Sequence, residues 1–229
     1  MSSEKPVLMA VVAHPDDAEL RCFGTLCRYR DSGYKCHVII MCSGENGISL
    51  NDRVVMNETH MLKQERLQET IKAFEGSNIN VEILDADDAY TQFSRDLIIK
   101  IEKKLRINRP KIVITHYVDS YGVDHQDHHY VGMATINSAT RMDCVEKILL
   151  CEPLMTLRSG FIPNYYVDIT KYFDSKVQAL AKHKSQKGRF YLEREYHQIK
   201  TDYYAINVGY LRAQEHRKYE AFQLLFAVR

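Results

Sequence analysis

The sequence predicts an α/β fold: a single Rossmann-like domain over residues 1–229, with a mostly parallel sheet covered by helices on both faces. Two observations lead there. Short apolar runs of strand length alternate with longer segments of helical spacing, and the first of those runs is continuously apolar, as a strand covered on both faces is. The first run, VLMAVVA (7–13), is followed by DDAELRCFGTLCRYRDSG (16–33), whose helical spacing ends on Gly33 as a left-handed cap. CHVIIMC (36–42) reads as the second strand and SGENG (43–47) as the loop after it. From 58 to 74, Met61, Leu62, Leu67, Ile71 and Phe74 mark one helix face, with Gly76 as the stop signal. VEILDA (81–86) is a third strand. SRDLIIKIEKKLRINRP (94–110) is a helix with Ser94 as its N-cap, closed before Pro110, and KIVITHY (111–117) is the fourth apolar run.

Beyond residue 150 the pattern is less regular. YYVDI (165–169) reads as a strand and TKYFDSKVQALAKHKSQ (170–186) as a helix capped by Thr170. The charged, aromatic stretch 187–203 reads as a loop closing over a site, YLRAQEHRKYEAF (210–222) as a last helix, and LLFAV (224–228) as a short strand. No repeat, low-complexity tract or Pro/Ser linker divides the chain, so one domain is expected.

With 45% hydrophobic and 27% charged residues, the composition is that of a soluble globular protein with a sizeable core. The 31 basic and 30 acidic side chains leave no charge excess to recruit nucleic acid or an anionic membrane. The N-terminus lacks a basic flank and long apolar core, and no apolar stretch approaches the roughly 18 residues of a membrane span. Cys22, Cys27, Cys36, Cys42, Cys144 and Cys151 sit in apolar segments without a C-x-x-C pair, which reads as reduced core thiols in a cytoplasmic protein.

Open parallel sheets place their sites beyond the carboxyl ends of strands, and the polar residues gather there. AVVAHPDDAEL (10–20) breaks from an apolar run into His14, Asp16 and Asp17. His116 lies near the end of the fourth run, and DSYGVDHQDHHYVG (119–132) then brings His125, His128 and His129 beside Asp124 and Asp127. Two imidazoles and one carboxylate suit a divalent metal of intermediate softness, zinc first, with ferrous iron or another divalent ion as alternatives. Three protein ligands leave positions for water and substrate, whereas a structural zinc site normally supplies four ligands, commonly thiolates. On spacing alone, two unrelated polar loops are the competing reading.

AHPDDAEL joined with DHQDH about a hundred residues later resembles the signature of the LmbE-like, or PIG-L, family of metal-dependent N-acetylglucosaminyl deacetylases. FGTL after the first motif, SGENG, Arg66 with Glu69, KVQALAKHKSQ (176–186) and YEAF (219–222) extend the similarity along most of the chain. The resemblance implies that His14, Asp17 and His128 bind zinc. It implies that Asp16 is the general base acting on a metal-bound water, and that His125 polarises the amide carbonyl and stabilises the oxyanion. Arg21, Glu45, Arg66 and Tyr121 are candidate substrate contacts. Arg21 stands where relatives usually carry Gly and reads equally as an outward surface residue. Tyr121 matches a mobile tyrosine of some relatives at a different spacing. His129 is expected to be non-ligating, His183 to pack the late helix, and Asp85, Asp87 and Asp88 to form a solvated turn.

The implied function is zinc-dependent hydrolysis of the N-acetyl group of an N-acetylglucosamine-type sugar in a small soluble conjugate or sugar nucleotide. The implied partner is that small molecule, with neither nucleic acid nor membrane, in a homo-oligomer of unspecified order. The alternatives are a metallohydrolase acting on another amide or a phosphoester, and a non-catalytic binding module. A non-heme iron oxygenase fits the ligand types but belongs on an all-β scaffold.

Overall fold

The computed structural model describes residues 4–47, 59–86, 88–89, 91–119 and 122–228. Strands β1 (Val7–Val12), β2 (Lys35–Cys42), β3 (Asn80–Ala86), β4 (Ile112–His116), β5 (Lys147–Cys151), β6 (Tyr165–Asp168) and β7 (Tyr219–Ala227) form one seven-stranded sheet. Its order is β3-β2-β1-β4-β5-β7-β6. The first five strands are mutually parallel, and β7 runs antiparallel between β5 and β6.

Strand β1 shows why its sequence is continuously apolar. Leu8, Ala10 and Val12 face a core with Phe23, Leu26, Phe74 and Phe173. Met9, Val11 and Ala13 face the opposite core, with Leu97, Ile101, Leu105, Val131 and Ala134. Alternate side chains of a strand point to opposite faces, so a strand covered on both sides has no polar phase.

The helices are α1 (Asp17–Arg21), α2 (Phe23–Asp31), α3 (Thr59–Phe74), α4 (Arg95–Asn108), α5 (Gln126–Ala139), α6 (Phe173–Leu180), α7 (Arg194–Val208) and α8 (Tyr210–Gln214). Ser94 caps α4 as expected, its hydroxyl accepting the Leu97 N–H at 3.2 Å. Among the described residues no helix is long and apolar enough to cross a membrane.

Four expectations are corrected. The helix expected at 16–33 breaks at Cys22, because the buried Glu220 carboxylate accepts the N–H groups of Gly24 (3.1 Å) and Thr25 (2.7 Å) and so opens α2. The expected 170–186 helix is a 3₁₀ turn, then α6, then a second 3₁₀ turn at Lys184–Gln186. The expected loop 187–203 carries a 3₁₀ turn at Phe190–Leu192 and most of α7. The expected helix 210–222 ends at Gln214, and YEAF instead opens β7, where Phe222 is fully buried opposite Cys151 of β5. Pairing on both edges overrides local helix propensity there. Strand β5, whose apolar run ILLC (148–151) is absent from the expected strands, supplies the neighbour.

The sheet order reverses between β1 and β4, where connections leave in opposite directions and the crevice at the strand ends opens. The Ala13 N–H donates to Nε2 of His116 at 2.9 Å and pins the two strand ends together. Helix α5 lies so close to the end of β4 that a Cβ on Gly132 would stand 2.8 Å from the His116 carbonyl oxygen. That approach carries His128 onto His116, their rings stacked at 4.3 Å.

Candidate metal centre

His14, Asp16 and Asp17 occupy the turn that leaves β1. Asp16 is held at φ 96°, a left-handed conformation uncommon outside Gly and Asn, and this lets two adjacent acids point in different directions. His128 comes from the first turn of α5, and His125 is that helix's N-cap.

The three expected ligands converge. Nδ1 of His14 lies 3.1 Å from Nε2 of His128, and Asp17 oxygens lie 3.5 Å and 3.2 Å from those two nitrogens. Ligand atoms bound tetrahedrally to zinc at ~2.0–2.1 Å stand ~3.3–3.4 Å apart, so the spacing fits. The far side of each ring is held by carboxylate. Nε2 of His14 lies 3.0 Å from Asp88 and 3.1 Å from Asp127, while Nδ1 of His128 lies 2.9 Å from Asp124. With the outer nitrogens donating, both inner nitrogens turn lone pairs toward each other and toward Asp17, an arrangement that calls for a cation. His14, His125 and Asp127 form a second group of ligand atoms within 4.8 Å of one another, sharing His14.

Burial disfavours charge on both rings, yet Asp127, Asp17 and Asp88 raise His14 well above the usual imidazole range, and Asp17 with Asp124 raises His128. Asp17 is itself buried, but His128 and His116 hold it well below the usual carboxylate range. A metal must displace the imidazole protons. Its affinity is therefore lost as pH falls through those raised values and is fully developed above them. Zinc titration against a chromophoric chelator should show at least ~10-fold weaker binding at about pH 6 than at about pH 8. A pH-independent affinity would remove the imidazoles from the ligand set.

Asp16 is not a member of either ligand group. It is nearly buried, 3.3 Å from Nη2 of Arg66, which also donates to the Pro15 carbonyl. Burial raises its pKa, with Asp17 and Glu19 adding to the effect and Arg66 and His183 opposing it. His125 is more open. Its Nδ1 accepts the Asp127 N–H at 3.2 Å, so the neutral ring carries its proton on Nε2. Burial, with His14 and His128 nearby, lowers its pKa and favours that neutral form.

The remaining expectations resolve by geometry. Arg21 is not an outward residue: it is buried, and its guanidinium reaches Asp17 at 3.3 Å, His128 Nδ1 at 3.2 Å and the Glu152 carbonyl. Glu45 accepts from Ser43 at 2.5 Å and does not line the cavity over the centre, whereas Arg66 does. Tyr121 and Asp87 lie outside the described residues, as does the Asp85 side chain. Asp88 is no solvated turn. It is 3% exposed, and its second oxygen accepts the Asn46 N–H at 2.7 Å, because the β3 loop folds under His14. His129 belongs to neither ligand group. His183 is buried and paired with Glu19 at 2.8 Å.

Asp124 and Asp127 were read beside the histidines without their role behind the rings, and Asp88 was read as a solvated turn. Asp124, one helical turn before His128, carried a readable signal; Asp88 had none, since it meets His14 only through the fold. The cavity above the centre measures about 520 Å³ and is lined by His14, Asp16, Asp17, His125 and His128 among others. That volume is in the range of small-ligand sites.

A model of the PIG-L family, described as GlcNAc-PI de-N-acetylase, matches residues 9–139. The chain belongs to the PIG-L family. The matched stretch runs from β1 through α5 and contains every residue of the centre. Among PIG-L relatives, the diacetylchitobiose deacetylase of Thermococcus kodakarensis (strain ATCC BAA-918 / JCM 12380 / KOD1) is 26% identical over 192 residues, 78% of this chain and 69% of that protein. A probable N-acetyl-alpha-D-glucosaminyl L-malate deacetylase 2 of Bacillus cereus is 27% identical over 185 residues, 78% of this chain and 83% of that protein. The crystal structure of GalB, the 4-carboxy-2-hydroxymuconate hydratase of Pseudomonas putida KT2440, shares the fold with a TM-score of 0.84, at 20% identity and 98% coverage of each chain.

Proposed function

We propose that this protein is a zinc-dependent N-deacetylase acting on an N-acetylglucosamine-type sugar in a small soluble conjugate, releasing acetate and a free amine. The observation that carries the reading is the division of labour at the β1 turn: Asp17 faces the two inner imidazole nitrogens, while Asp16 stands beside them outside the ligand set. His14, Asp17 and His128 would hold the ion. Zinc in such a site lowers the pKa of its water toward ~7 and polarises a carbonyl.

The other roles belong to the chain. Asp16, its carboxyl raised by burial, takes a proton from the attacking water and returns it to the departing amine. His125, neutral with its proton on Nε2, donates to the amide oxygen as negative charge develops there. The amide C–N bond breaks and water's oxygen ends in the new carboxyl group; Asp16 carries one of water's protons to the departing nitrogen, and the other leaves that carboxyl group for the free amine, giving acetate and ammonium.

Alkene hydration is the second reading, favoured because one relative of this fold is a hydratase and base-assisted activation of water serves either reaction. Acetate separates them. Zinc-reconstituted protein incubated with a panel of N-acetylglucosamine conjugates should release acetate and amine in equal amounts. No acetate from any conjugate, with metal demonstrably bound, sinks the deacetylase reading.

A further inference from the structure

Ten Asp, His and Arg side chains line the cavity, and nine are held by counter-groups. Asp16 faces Arg66; Asp17 faces His128 and Arg21; Asp88 faces His14; Asp124 faces His128; and His125 accepts the Asp127 N–H. The tenth is Arg189. Among the described residues no carboxylate pairs with it, and its one hydrogen bond goes to the Gly47 carbonyl.

Gly47 is also where Arg66 arrives. A Cβ on Gly47 would collide with Nη1 of Arg66, and one on Gly44 (φ 71°) would stand 2.9 Å from its Cζ. Two guanidinium groups thus close on one residue at the cavity rim; among the described residues Asp16 pairs with Arg66, Asp88 lies near enough to feel its charge, and no carboxylate reaches Arg189. Like charges brought together in this way favour an anion beside them.

The wall that carries Arg189 is anchored. His183 pairs with Glu19 at 2.8 Å, and the Ser185 N–H and hydroxyl both donate to Glu69 of α3 at 2.7 Å. From that anchor the chain passes the buried Gln186 and reaches Arg189 and Tyr191, all three lining the cavity. Burial, with the Asp16 charge nearby, pushes the Tyr191 phenol up to about 12, so it keeps its O–H. No described residue accepts that O–H.

We propose that the substrate carries a carboxylate on the part of the molecule remote from its reacting group, and that Arg189 binds it with Tyr191 donating alongside. One unpaired guanidinium matches a monoanion, and its planar fork matches a carboxylate in charge and shape. The assignment deepens the deacetylase reading and rests on it for the identity of the reacting group.

The test is calorimetric binding to zinc-loaded protein of three probes: the carboxymethyl glycoside of N-acetylglucosamine, its neutral carbamoylmethyl counterpart, and glutarate, which has no sugar. The carboxymethyl glycoside should bind about 10–100-fold tighter than the neutral one, the range of a charge-assisted hydrogen bond. Arg189→Gln should bring that ratio near one and weaken glutarate equally, while Arg189→Lys keeps part of the preference. Equal affinity for the two glycosides in the wild type overturns the proposal. So does a preference that survives Arg189→Gln, because the metal and not the arginine would then be capturing the carboxylate. Acetate release is followed in parallel: its absence tells against the deacetylase reading alone, since glutarate binding lost in Arg189→Gln still reports the anion site.

Discussion

Asp16→Asn is expected to lower turnover by about 10²–10⁴-fold, the usual contribution of a positioned acid–base group, while zinc content stays at the wild-type level. Asparagine is the informative replacement here. It preserves the shape of the side chain, and it is one of the few residues besides glycine that accepts the φ of 96° the turn imposes. What it loses is the ability to take and return a proton. The ligand atoms of His14, Asp17 and His128 are untouched, so metal binding and catalysis separate in this variant. Arg66 loses a charged partner but still donates to the Pro15 carbonyl, which keeps the guanidinium in place. Circular dichroism and metal analysis on the same preparation distinguish a lost base from a lost fold. Activity within tenfold of wild type, with fold and zinc intact, would remove Asp16 from the role of base.

Glu220→Ala is expected to cost about 3–5 kcal/mol of folding stability, the range for breaking a buried ion pair by deleting one member. Glu220 and Lys176 are 2.6 Å apart with both side chains 4% exposed. The carboxylate also accepts the two N–H groups that open α2, and Lys176 donates to the Leu20 carbonyl at 2.8 Å. Deleting the acid leaves the two helix-end donors without their acceptor and a buried ammonium with the Leu20 carbonyl but no counter-charge. The damage reaches the centre, because Leu20 lies in the short helix that begins with Asp17. Replacing the pair together, Lys176→Met with Glu220→Leu, should cost less than Glu220→Ala, since no charge is then stranded. Equilibrium unfolding in urea measures both. A single-variant loss under about 1 kcal/mol would mean that water reaches the pair and that it is not structurally isolated.

Much of the architecture was readable because its causes are local. The runs at 7–13 and 36–42 are almost wholly apolar in both phases, as strands covered on two faces are, and those at 81–86 and 111–117 are short apolar-rich segments between helical ones. Ser94 before a helical period, and Gly76 after one, are punctuation that operates within a few residues. The centre was suggested by His14, Asp16 and Asp17 at the end of a buried strand, where polar groups are costly unless satisfied, and its residues were assigned through the resemblance of AHPDDAEL with DHQDH to the PIG-L signature. The PIG-L match over residues 9–139 spans both motifs.

Where the reading failed, the deciding partner lay far along the chain. Cys22 breaks a helix whose own spacing is continuous, because a carboxylate nearly two hundred residues later claims the next turn's N–H groups. YEAF has helical neighbours and becomes a strand because β5 and β6 offer it two edges. Asp88 sits in a run of acids that looks solvated and is buried because His14 needs an outer acceptor. Arg189 looks like any surface arginine until the fold sets it against Gly47 beside Arg66. Periodicity and residue identity, which act locally, were enough for strands β1 to β4 and for the chemical types at the centre. Only the tertiary structure decided which carboxylate stands behind which histidine and which cation is left without an anion, since long-range pairing in a low-dielectric interior sets those and no local pattern records them.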